Sequence, residues 1–354
     1  MVLNRRRVAS LAFGLAGLLG VGCHADDIVV PEAATVPGAT LPANFPAPVY
    51  ALDVNKPDAA TFALGRSLFY DPRLSRDGSV SCGSCHQQFA AFANADHRLS
   101  HGVDSRLGTR NAPAMQNLRW KSEFFWDGGP KSLETLPLAP LTNPLEMDET
   151  LPHVLAKLNA DPTYQQRFAA IYGPGPITSY EFLRALAQFM AALTSADSRY
   201  DQYVRGEHGV TLTAPELHGR ALFTQKCANC HSTDLFTDET YRNNGLSTSF
   251  GSDSGRAHIT GRTSDIGRFK VPSLRNVALT PPYMHDGRFN TLPDVLAHYD
   301  HGVVASPTLD PALRPATGPL GIPLTAAEQA DLIAFLRTLT DESFIHDQRL
   351  AEHP

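Results

Sequence analysis

Four of the five cysteines of this chain fall into two pairs of identical spacing, each followed at once by histidine: Cys82-Gly83-Ser84-Cys85-His86 and Cys227-Ala228-Asn229-Cys230-His231. Two thiols at this spacing with an adjoining imidazole can exchange disulfides, hold zinc or attach haem. The whole pattern occurs twice and leaves no cysteine over in the body of the chain, which selects haem. In that chemistry the sulfurs of Cys82 and Cys85, and of Cys227 and Cys230, form thioethers to porphyrin vinyl groups. His86 and His231 are thereby placed under the two irons as proximal ligands. Two covalent c-type haems are the expected cofactors.

The elements that must position these motifs also occur twice. Gly65-Arg66-Ser67-Leu68-Phe69 precedes the first motif and Gly219-Arg220-Ala221-Leu222-Phe223 the second. Later in each half comes an apolar stretch with helical spacing: Leu186, Phe189, Met190 and Leu193 in one, Leu332, Phe335, Leu336 and Leu339 in the other. Thr178 with Glu181, and Thr325 with Glu328, predict capping boxes where these helices start. Helix, haem motif, long excursion and closing helix make one unit used twice. The fold class expected is mostly α, two cytochrome c-like haem domains in tandem with long loops and few strands. The divisions expected are a signal peptide over 1–25, an extended lead-in over 26–48, an N-terminal haem domain over 49–207 and a C-terminal haem domain over 208–354.

Composition bounds the function. The net charge is −6 and charged residues make up 19% of the 354, with no long basic run, so nucleic-acid binding is not expected. Arg5, Arg6 and Arg7 followed by the apolar run Val8–Val21 read as an export signal too short to span a bilayer, and no later stretch would span one. Cleavage after Ala25 and lipidation of Cys23, in Leu19-Gly20-Val21-Gly22-Cys23, both fit this end. A periplasmic location suits haem attachment outside the cytoplasm.

With these motifs the chain resembles the bacterial dihaem cytochrome c peroxidase superfamily, which includes MauG and the related MbnH enzymes. The resemblance covers nearly the whole chain after the signal. It rests on both haem motifs and on Arg110-Asn111-Ala112-Pro113, Phe125-Trp126-Asp127-Gly128, Asn143-Pro144-Leu145-Glu146-Met147, Val271-Pro272-Ser273-Leu274-Arg275-Asn276 and Pro282-Tyr283-Met284-His285-Asp286-Gly287. It implies that the haem on His86 meets hydrogen peroxide and the haem on His231 stores and relays electrons. Glu146 matches the distal acid, which takes a proton from one peroxide oxygen and returns it to the other. Pro140 matches a proline that keeps the sixth iron position open, and Trp126 the tryptophan between the haems. One departure stands out: where the family usually has glutamine ten residues before the glutamate, this chain has Leu136.

Three further roles follow from the resemblance. His101 matches a histidine that caps the resting N-terminal haem in some dihaem peroxidases; as a surface histidine it would leave that haem open. The register places Tyr299 as second axial ligand of the C-terminal haem, as in MauG-type enzymes, with Met284 as the rival. A thioether there favours ferrous iron, a phenolate favours iron in high oxidation states. Asn111 through its side chain, and Thr280 and Pro282 through their carbonyls, match the ligands of a calcium ion between the domains. The function implied is a MauG/MbnH-type oxidoreductase that uses hydrogen peroxide to reach a high-valent dihaem state and oxidises residues, tryptophan foremost, of a periplasmic partner protein. The alternative is a cytochrome c peroxidase reducing peroxide to water with electrons from a small redox protein. A non-enzymatic electron carrier would need neither Glu146 nor an open pocket.

Overall fold

The structure is a computed structural model that describes residues 36–50, 55–95 and 97–353. The export signal, Cys23 and the lead-in before Val36 lie outside the described residues.

Each half is built on a crossed helix pair. In the first half the helix Ala59–Phe69 packs on Ser179–Ala192; in the second Ala214–Lys226 packs on Ala326–Arg337. The paired glycines of the repeat explain how close they come. A Cβ on Gly65 would lie 2.0 Å from the carbonyl oxygen of Ala185, and one on Gly219 1.9 Å from that of Asp331. Only glycine lets backbone meet backbone at these two points. Both closing helices start with the expected reciprocal caps, Thr178 with Glu181 and Thr325 with Glu328.

The aromatic residues of the pattern then fill equivalent places. Phe69 packs against Phe189 with centroids 4.9 Å apart, and Phe223 against Phe335 at 5.3 Å. Around them form two separate apolar cores, one including Leu68, Phe92, Phe182 and Leu186, the other Leu222, Phe236, Leu332 and Leu336. Edge-on and tilted rings at these distances add specific geometry to plain burial. The end of the chain does not stay with the second core. Phe344 and Leu350 pack into the first, and Tyr70 donates from its hydroxyl to the Leu350 carbonyl at 2.9 Å.

Among the described residues the sheet content is one antiparallel pair of two-residue strands, Tyr241–Arg242 with Phe269–Lys270. The rest is turns and loops, in keeping with the abundance of proline and glycine. No helix among the described residues is long and apolar enough to cross a membrane.

Candidate haem cavities

Each haem motif opens onto an apolar cavity. That of the first half measures about 300 Å³ and is lined by Cys82, Cys85 and His86; that of the second measures about 250 Å³ and is lined by Cys227, Cys230 and His231. No disulfide joins the cysteines of either pair. Each histidine is oriented by backbone. His86 Nδ1 donates to the carbonyl of Phe92 at 2.9 Å, and His231 Nδ1 to that of Phe236 at 3.1 Å. A carbonyl can only accept, so the proton sits on Nδ1 and Nε2 keeps its lone pair for a metal. Burial lowers the pKa of both rings and keeps them neutral. Paired sulfurs, a neutral imidazole of the right tautomer and an apolar slot beside them fit covalent haem in both halves.

Phe92 and Phe236 were not singled out by sequence, because the atoms that matter are main-chain carbonyls. Both residues have left-handed backbone, φ 60° and 54°, unusual for a bulky side chain. Their rings enter the aromatic cores while their carbonyls face the histidines. Each ties the orientation of its haem ligand to the packing of its own half.

The remaining walls differ. In the first cavity stand Glu146, Pro140, Leu136, Ser100 and His101. Burial pushes the Glu146 carboxyl up, and a hydrogen bond from Ser100 Oγ, at 3.4 Å from Oε1, opposes this. Ser100 is itself buried and escaped the sequence reading, since it adjoins Glu146 only through the fold. Leu136 adds an apolar wall where a glutamine would have offered its amide. Gly102 lets the His101 loop close on the glutamate's turn: a Cβ there would lie 2.2 Å from the Leu145 carbonyl oxygen. His101 is exposed at the edge of the cavity, with its ring 4.4 Å from that of His97.

In the second cavity stand Tyr299 and Met284 together. Tyr299 lies in the π-helical turn His298–Gly302, an irregularity that often marks functional positions. Burial pushes its phenol up to about 12, against a hydrogen bond from Asn244. Asn244 also donates from Nδ2 to the Met284 sulfur at 3.3 Å, and Met284 holds φ 76°. Thus one amide, absent from the sequence reading, touches both candidate axial donors. Neighbouring His298 is engaged elsewhere, with Nε2 3.0 Å from the Asn244 carbonyl oxygen.

Trp126 lines both cavities, and its indole N–H donates to the Asn111 carbonyl at 2.9 Å. Asn111, Thr280 and Pro282 all border the second cavity, and Asn111 borders the first as well. The motif charges around them act as struts. Arg110 bonds Asp127 at 2.6 Å and Asp253 at 2.7 Å, bracing the Trp126 segment against the second half. Arg275, wholly buried, pairs with buried Asp201 and donates to the Asp234 carbonyl at 2.7 Å.

Comparison with known proteins agrees with this geometry. Residues 59–209 match the family described as di-haem cytochrome c peroxidase, and residues 217–340 match cytochrome c. The methylamine utilization protein MauG of Methylorubrum extorquens is 38% identical over 291 residues, covering 79% of this chain and 78% of that protein. The cytochrome c peroxidase Ccp of Escherichia coli is 33% identical over 89% of this chain, which spans 63% of that longer protein. Among solved structures, a MauG-like protein associated with microbial copper homeostasis is 34% identical, with a TM-score of 0.77 over 88% of this chain and 98% of the other.

Proposed function

The chain belongs to the dihaem cytochrome c peroxidase and MauG family of oxidoreductases with two c-type haems, and from that premise we propose that it is a MauG/MbnH-type enzyme. In this reading it uses hydrogen peroxide to oxidise residues, tryptophan foremost, of a partner protein in the periplasm. The observation that carries the reading is Tyr299, set in a π-helical turn against the wall of the second cavity. As an axial donor its phenolate would be hard and anionic and would stabilise iron in high oxidation states.

When bound, the haems supply the site for peroxide and the two electrons that its reduction requires. The rest is done by side chains. Glu146 accepts the proton of the near peroxide oxygen at its carboxylate and returns it to the leaving oxygen, with Leu136 and Pro140 as apolar walls of the same cavity. His101, exposed and set against His97, leaves the first cavity open to peroxide in the resting protein. Trp126 bridges the two cavities and relays charge between them. Neutral oxygens from Asn111, Thr280 and Pro282 suit a calcium ion that fixes the seam beside Trp126.

Met284, lining the same cavity as Tyr299, favours the second reading, a peroxidase that draws electrons from a small redox protein. Tyr299→Phe separates the two. The first reading expects an altered optical and spin-resonance spectrum of the C-terminal haem, with slow turnover of reduced cytochrome c by the native enzyme. An unchanged spectrum together with fast native turnover would establish the second.

A further inference from the structure

Lys121 follows the short turn Leu118–Trp120 and lines the first cavity. Among the described residues it makes no ion pair, and burial drives its pKa down. The carboxylate whose charge acts on it, Glu239, is already bonded to Lys270 Nζ at 3.0 Å. Lys270 is only 6% exposed, lines both cavities and has its ammonium over the Tyr241 ring at 4.7 Å. Of the two ammonium groups, Lys270 is buried and bonded to this carboxylate, while Lys121 is half-buried and feels it only at a distance. A desolvated cation without a partner is unfavourable, so the site is complete only when a further anion enters the cavity.

The first cavity's own prosthetic group carries such anions. A haem held through its vinyl carbons has two propionate carboxylates on its opposite edge. We infer that Lys121 is the seat of a propionate of the N-terminal haem, with Lys270 and Glu239 as the charged frame around it. Lys121 lines the first cavity and not the second, so its effect falls on one haem. A cation beside a propionate favours the ferrous form and would raise that haem's potential. The inference rests on haem occupying the first cavity and is independent of which peroxide chemistry follows.

The test uses the haem-loaded protein and its variants Lys121→Met and Lys121→Arg, with the haems per chain quantified in each. Resonance Raman spectroscopy of the propionate bending bands and a spectroelectrochemical titration are the readouts. The expected result for Lys121→Met is a shift of the N-terminal haem's propionate bands and a lower midpoint potential for that haem, with the C-terminal haem unmoved. Lys121→Arg should stay close to native. Recovery of Lys121→Met without its first haem, while Lys121→Arg keeps both, would support the same assignment. Native bands and potential in Lys121→Met, or equal shifts in both haems, would overturn it, as would loss of the first haem from both variants.

Discussion

The two halves share a scaffold down to the contact atoms and differ in the other residues that line their cavities. In both, a glycine lets two helices touch, a phenylalanine in left-handed backbone turns its carbonyl to the haem histidine, and reciprocal caps start the closing helix. Beyond that, the first cavity has a half-buried carboxyl under a serine, and the second a half-buried phenol beside an amide and a thioether. The contrast teaches that proximal architecture attaches and orients haem, whereas the distal wall assigns its task. In the proposed function the carboxyl would move protons for an incoming peroxide, and the phenol, as a donor to the second iron, would keep peroxide away from it.

The largest test of that contrast is Glu146→Gln. The amide keeps the shape and removes the proton carrier, so the rate of reaction with peroxide in stopped flow should fall about 10²- to 10⁴-fold. The native pH profile carries the same signature. Burial raises the Glu146 pKa, so the required carboxylate is lost as pH falls through a midpoint above the ordinary glutamate range. The rate should show an acid limb there, and the limb should vanish in the glutamine variant. A native-like rate in Glu146→Gln would move the proton chemistry elsewhere.

The shared scaffold is tested by matched glycine variants. Gly65→Ala and Gly219→Ala each put a methyl group against a backbone carbonyl that has no room to retreat. Each should cost about 1–3 kcal/mol in chemical denaturation, and the two costs should be similar. A large cost in one half alone would show that the helix crossings are not equivalent.

The smallest effect sharpens the first cavity. Ser100→Ala removes a long hydrogen bond that favours ionised Glu146. The acid limb should move to still higher pH, with a loss of about 1 kcal/mol or less in the peroxide step, a few-fold in rate. An unmoved limb would separate Ser100 from the glutamate's titration.

Much of this is legible in the amino-acid sequence. Haem attachment rests on covalent motifs, and helix starts rest on local hydrogen bonds between residues three apart, so both are written in short stretches of sequence. Leu136 could be recognised as a departure because it replaces one side chain by another at a fixed offset from Glu146. What could not be read depends on atoms without sequence identity or on contacts made only by folding. The carbonyls of Phe92 and Phe236 belong to the first kind. Ser100 beside Glu146, Asn244 between Tyr299 and Met284, and Lys121 on the first cavity belong to the second, as does the return of Phe344 and Leu350 to the first core. His101 illustrates the boundary: its motif allows a ligand or a surface residue, and only its exposure and its place beside His97 bear on the choice.

The central claim is that two cavities built alike share the oxidising power of one peroxide, and it is tested most directly by titrating the diferric protein with hydrogen peroxide under optical and spin-resonance observation. The expected result is a near-infrared band with joint loss of both ferric signals. A change confined to the first haem, with the ferric signal of the second intact, would contradict it.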